Sequence, residues 1–167
     1  MFLLRELPSG AHLAEMQERY PALEPSAVRA FLTMLQTGSD LLTRLDRYLQ
    51  QHGLLQGRWL VLVMLARREQ HEACPSELAH DLGVTGATMT GLLDGLEREA
   101  LVSRRPMPED RRKTRVTLTA AGRKRLDALM PDYYERVAAL FADIPESQRT
   151  TLIRICRTLQ DASDRVF

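Results

Sequence analysis

The stretch that decides the fold runs from Cys74 to Val102 and reads CPSELAHDLGVTGATMTGLLDGLEREALV. Proline suits a first helical position, where its missing N–H would have no partner anyway. Pro75 therefore opens a short helix, with Glu77 well placed at its positive end. Leu78, Ala79 and Leu82 give that helix one apolar face. Gly83 punctuates it, Val84 can plug the turn, and Thr85 can cap a second helix. The second helix turns Met89, Leu92, Leu93 and Leu96 inward at helical spacing. A short helix, a glycine turn and a capped second helix make a helix-turn-helix pattern.

Directly after it, the period changes from helical to alternating. Leu101 and Ser103 alternate against Val102 and Arg104, and Arg115 and Thr117 alternate against Val116 and Leu118. Between them PMPEDRRKT is polar and holds two prolines, so the pair reads as a β-hairpin with a long loop. A helix-turn-helix followed by such a hairpin is a winged helix. The stretch RRPMPEDRRKTRVTLT, Arg104 to Thr119, carries six cations in sixteen residues, although the whole chain has a formal net charge of only +1. Residues 98–125 hold 10 Lys/Arg against 3 Asp/Glu, while 1–97 hold 8 against 12 and 126–167 hold 5 against 7. A basic block within a mildly acidic protein suits a polyanion-binding edge. In a winged helix the second helix enters the major groove and a thin ribbon reaches the adjacent minor groove, whose strong negative potential attracts arginine. Asp110, inside the cationic loop, can pair with a neighbouring arginine and pre-set the loop.

The flanks read as helices. Ser9 to Tyr20 can form a short amphipathic helix before Pro21 and Pro25 interrupt it. From Ser26 to about Gly53, Val28, Phe31, Met34, Leu35, Leu41, Leu42, Leu45, Tyr48 and Leu49 recur at helical spacing. A more apolar helix over about 57–69 reads as buried on most sides. Beyond the hairpin, Thr119 can cap a helix over 120–142, with Pro131 as a possible interruption, and a last helix spans about 145–164. The fold class is mostly α with a small β-hairpin wing. Four regions follow: an N-terminal extension (1–25), a first long helix (26–53), the winged helix-turn-helix (54–119) and the C-terminal helices (120–167). The outer helices carry larger apolar faces than a small winged helix can cover, so a second subunit is the economical way to bury them.

The segment SELAHDLGVTGATMTGLLDGLEREALVSR and the following DRRKTRVTLTAAG closely resemble the MarR family of bacterial transcriptional regulators. Asp110-Arg111-Arg112, then Val116-Thr117-Leu118-Thr119 and Gly122, match that family's D-x-R wing leading into L-T-x-x-G. The resemblance covers about residues 53–122 and extends loosely to the long helices. It implies a homodimer whose outer helices form a base and whose two winged helices straddle a pseudo-palindromic operator in double-stranded DNA. The implied regulator is a repressor that blocks polymerase and is released by a small aromatic or anionic effector bound between base and winged helix. The expected DNA-binding residues are Thr85, Ala87, Thr88, Thr90, Arg104, Asp110, Arg111, Arg112, Lys113 and Arg115. Phe31, Tyr48, Arg58 and Trp59 are candidates for the effector pocket, although each has an ordinary packing role open to it. The alternative is a winged helix that binds protein or RNA without operator DNA.

Three departures from the family pattern bear on mechanism. Many relatives place arginine or lysine where this chain has Gly91 and Gly95, and the start of the recognition helix offers only Thr, Ala and Gly. None of these makes the bidentate pairs to guanine or adenine that carry most direct readout, so preference should lean on thymine methyls and groove shape. Ala100 stands where glycine usually ends the recognition helix, so the helix either closes differently or tolerates local strain. Cys74 sits at a cap position, where a thiol is a poor substitute for Ser or Thr, and Cys156 lies on an apolar face and reads as core.

No other chemistry is assembled by the sequence. His71, Cys74 and His80 are close but lack the spacing of a known metal motif, and no nucleophile elbow, phosphate loop or H-E-x-x-H occurs. No catalytic role, metal or cofactor is expected. Two cysteines are too few for a disulfide framework, no run approaches a membrane span, and the first residues do not read as a secretory signal. The cytoplasm is the expected location, with no membrane partner.

Overall fold

The computed structural model describes residues 6–107 and 114–166. A short helix α1 (Gly10–Arg19), capped by Ser9, precedes the long α2 (Pro25–Gln51). Then come α3 (Gln56–Arg67), a two-residue strand β1 (Glu72–Ala73), α4 (Pro75–Asp81) and α5 (Gly86–Arg98). The hairpin β2 (Val102–Pro106) and β3 (Thr114–Leu118) leads into α6 (Ala120–Leu140) and α7 (Glu146–Val166). The expected order of elements is present, with β1 added. It pairs antiparallel with β3, Glu72 opposite Thr117 and Ala73 opposite Val116, giving a three-stranded sheet of order β1-β3-β2. Two residues carry no periodicity, which is why β1 is invisible in the sequence. Pro131 sits inside α6 without ending it.

The core gathers around the winged helix. Val61, Leu62 and Leu65 of α3 are fully buried with Leu78, Met89, Leu93, Leu96 and Val116, and the C-terminal end of α2 joins them through Tyr48 and Leu49. The first half of α6 contributes Leu126 and Leu129. Gly122 has a packing reason, since a Cβ there would run into the Leu101 carbonyl and the Leu118 side chain. Outside this core Leu13 of α1 is buried, but many large apolar side chains are left bare. Phe31, Met34, Leu41 and Leu42 of α2, Tyr134, Val137 and Leu140 of α6, and Leu152, Ile153, Ile155 and Leu159 of α7 are exposed. No described residue of α7 is buried, and Cys156, expected in a core, is only half-buried on it.

Three helices end the same way. At Gly53, Gly83 and Ala100 the backbone turns left-handed, with φ of 67°, 62° and 56°. In each, the N–H one residue later reaches back to close the turn: Leu54 to the Leu49 carbonyl, Val84 to Ala79, and Leu101 to Leu96, at 2.9, 3.0 and 2.9 Å. These are Schellman turns, in which glycine is favoured because it lacks the Cβ that crowds this conformation. Ala100 keeps the turn and bears the strain, which settles the choice left open by the sequence. Ala100→Gly should therefore raise stability by about 1 kcal/mol, a Tm increase of about 2–4 °C in a thermal melt. An unchanged or lower Tm would contradict the reading of strain.

Candidate nucleic-acid interface

The recognition helix α5 is seated by Met89, Leu93 and Leu96, so its opposite face is turned to solvent: Thr85, Gly86, Ala87, Thr88, Thr90 and Gly91 are all exposed. The threonine hydroxyls of the first turns are committed within the helix. Thr85 Oγ1 accepts from the Thr88 N–H at 3.2 Å and lies 3.0 Å from Thr88 Oγ1. Thr90 Oγ1 donates to the Gly86 carbonyl at 2.9 Å. The methyl groups are the uncommitted part of these side chains. Nothing lies within 4 Å of a Cβ built at Gly86 or Gly91, so this face is smooth and backbone-close.

Gly95 is different. It is buried, and the space a side chain would take is filled by the Arg58 guanidinium reaching from α3. Arg58 Nη1 in turn pairs with Glu99 Oε1 at 2.6 Å. The space beside Gly95, where the family resemblance leads to the expectation of a basic side chain, is thus taken by an arginine from α3. Arg104, expected among the DNA contacts, is likewise engaged with α5. Its Nε donates to Glu97 Oε2 at 2.9 Å, its Nη2 to Asp94 Oδ1, and its backbone N–H to Glu97 Oε1 at 3.1 Å. The Asp94 hydrogen bond is the main reason its pKa is raised above the ordinary arginine value.

On the ribbon, β2 and β3 pair with Arg105 opposite Arg115. Like charges directly across a strand pair are unfavourable. Glu72 of β1 offsets part of this, with Arg115 Nη1 3.1 Å from its Oε1. The ribbon therefore delivers a pair of arginines to the root of the loop. Asp110, Arg111, Arg112 and Lys113 lie outside the described residues. At the other edge of the winged helix, Arg68 bridges Glu77 and Asp81 of α4 at 3.0 and 2.8 Å. Glu77 also accepts from the Cys74 N–H at 3.0 Å, so the carboxylate, three residues on, secures a helix start that the thiol caps poorly. The Cys74 sulfur lies 3.9 Å from that of Met107, at the end of β2.

The four effector-pocket candidates are not brought together. Phe31 and Tyr48 share α2 but lie seventeen residues apart, roughly 25 Å along its axis. Tyr48 is buried against α6, under the Arg136 guanidinium at 4.8 Å, and burial pushes its phenol up to about 12. Trp59 is buried with its ring 5.0 Å from that of Tyr133. Arg58 belongs to the Gly95 contact. These three are accounted for by packing or an ion pair, while Phe31 lies on the exposed face of α2.

The fold has relatives among known proteins. The family model for the MarR family matches residues 54–114, from the start of the winged helix to β3. The HTH-type transcriptional repressor YetL of Bacillus subtilis (strain 168) is 31% identical over 152 residues, covering 91% of each chain. The chain belongs to the MarR family. A second relative, the transcriptional repressor MprA of Escherichia coli (strain K12), is 27% identical over 153 residues, 92% of this chain and 85% of that one. Among solved structures, the MarR-family regulator Sco3205 from Streptomyces coelicolor, in complex with DNA, superposes with a TM-score of 0.73 at 22% identity. It covers 95% of this chain and 91% of that one. Among the described residues no helix is long and apolar enough to cross a membrane.

The two recognition-helix glycines should separate in a stability assay. Gly91→Ala should raise stability by up to about 1 kcal/mol, the helix-propensity difference, because its site is open. Gly95→Ala should forgo that gain, since its Cβ must expel the Arg58 guanidinium and disturb the Glu99 pair. Equal melting shifts for the two would contradict the assignment of Arg58 to the Gly95 site.

Proposed function

We propose that this chain is a transcriptional repressor that binds a pseudo-palindromic site in double-stranded DNA as a homodimer. The observation that carries the reading is a ribbon packed on α5 with Arg105 facing Arg115, close in sequence to Arg111, Arg112 and Lys113. It stands beside a recognition helix whose start is smooth and exposed. An anion between the two strands' arginines would add to the compensation that Glu72 already gives Arg115, which suits phosphate. Base recognition then falls to the methyl-rich start of α5 and to groove shape, with the ribbon supplying much of the affinity.

The homodimer is supported by the bare apolar residues of α2, α6 and α7. Between α2 and α7 runs an open groove of about 740 Å³, lined by Met34, Leu41 and Leu152 among others, which helices of a second copy would fill. YetL and MprA are repressors by name, and Sco3205 was crystallised with DNA. The chain works by binding, and a bound dimer would block polymerase. A small aromatic or anionic effector bound where the base meets the winged helix would release it, by favouring a spacing of the two recognition helices that no longer fits the operator.

The test is fluorescence anisotropy on duplex DNA from the region upstream of the protein's own gene, run across a salt series with unrelated duplex as competitor. Wild type should bind tightly with a steep negative salt slope. Arg111→Ala/Arg112→Ala should flatten that slope by about 1 for each phosphate no longer neutralised. A slope indifferent to both arginines, with tighter binding to RNA or a protein bait at matched salt, would favour an interaction module instead.

A further inference from the structure

A helix that lies in the groove of a polyanion is penalised for each carboxylate it carries. From Gly86 to Glu99 the recognition helix and its cap hold three, Asp94, Glu97 and Glu99, against the single cation Arg98. Taken alone the segment has a charge of −2, a poor choice for a surface that meets phosphates. The structure shows how that charge is handled. Each of the three carboxylates is paired with an arginine that comes from outside the helix. Arg104 on β2 takes Asp94 and Glu97, and Arg58 on α3 takes Glu99.

The burial of the partners shows which side faces out. Both arginine side chains are 22% exposed, whereas Asp94 is 53% exposed and Glu97 and Glu99 are each 42% exposed. The cations are the more buried partners and the anions the more exposed ones. Arg58 is fixed there because Gly95 leaves the space for its guanidinium. Arg104 is fixed because Glu97 also accepts from its backbone N–H. This arrangement gives the charge of each arginine to carboxylates of the helix: Arg104 commits its Nε and Nη2 to Glu97 and Asp94, and Arg58 its Nη1 to Glu99.

We propose that Arg104 and Arg58 are positioning residues that act as built-in counterions: they mask the carboxylates of the recognition helix so that it can enter the groove, and touch no phosphate themselves. This rests on the DNA-binding reading above and assigns within it a role opposite to that of the wing arginines. Wing arginines add affinity by direct contact, whereas Arg104 and Arg58 remove a repulsion that belongs to the chain's own acids. Arg104 has a second effect. It ties β2 to α5, and because β2 runs straight into the wing, it sets the angle between the two DNA-facing elements.

The two roles separate in a rescue experiment. The probe is the duplex that the wild-type full-length chain recovers from a random-sequence pool, followed by anisotropy across a salt series. Arg104→Ala should weaken binding roughly tenfold or more, because two carboxylates per protomer are left uncompensated against phosphate. Adding Asp94→Asn and Glu97→Gln to that variant should restore most of the affinity, with the wild-type salt slope, since every phosphate keeps its protein cation. A phosphate-binding Arg104 gives the reverse: no rescue, and a slope lower by about 1 for each phosphate it had neutralised. That result would overturn the proposal. If a thermal melt shows Arg104→Ala to be unfolded, Arg104→Gln in the same two backgrounds carries the test, because it keeps bulk and hydrogen bonding without charge. Arg58→Gln with and without Glu99→Gln repeats the comparison at the second pair. Failure of wild type to recover any duplex would instead sink the DNA-binding reading, and this proposal with it.

Discussion

The seating of α5 on α3 is the contact on which the rest depends. Met89, Leu93 and Leu96 are buried among Val61, Leu62 and Leu65, and this burial decides which face of α5 is left to solvent. Full burial of such side chains stabilises by about 1.5–3 kcal/mol each, more than any single exposed ion pair around them. The same packing places Arg58 beneath Gly95 and brings β2 close enough for Arg104 to reach Asp94 and Glu97. Were α5 rotated by one residue, about 100°, either Thr88 or Thr90 would turn into the core and the pairs to Arg58 and Arg104 would be broken. Hydrophobic seating therefore comes first, and the charge arrangement on the DNA-facing side follows from it.

Much of this was legible in the residues. Pro75, Gly83 and Thr85 punctuate the helix-turn-helix at the places the structure shows, because caps and left-handed turns are local and depend on particular side chains. The hairpin was legible from its change of period. What escaped were features that join residues distant in sequence. The strand β1 exists because β3 supplies its partners. Gly95 looks in the sequence like a missing basic residue, but Arg58, thirty-seven positions earlier, occupies its site. Arg104 belongs by position to the cationic stretch, yet its partners lie on the helix before it. The aromatic candidates for an effector pocket share only their residue type, and type does not bring Phe31 to the other end of α2.

The outer helices extend the argument beyond one chain. The inner ends of α2 and α6 share the winged-helix core, while their outer ends and all of α7 keep apolar side chains in water, Ile153 at 53% exposure. A second copy is the economical cover, and in a symmetric pair each recognition helix gains a mate related by a two-fold axis. Each α2 and α6 then runs from dimer base to DNA-binding core without a break. A shift in how two bases pack would change the spacing of the recognition helices, which gives an effector a physical route to release.

The most direct measurement of the central claim is the sequence set that the intact protein enriches from a random pool of duplex DNA. Two copies reading through a symmetric pair of α5 helices should enrich an inverted repeat, with half-sites centred about one helical turn, about 10 bp, apart. The positions facing Thr88 and Thr90 should favour thymine, and none should be an invariant guanine. An unenriched pool, a single asymmetric site, or invariant guanines opposite those threonines would contradict the account.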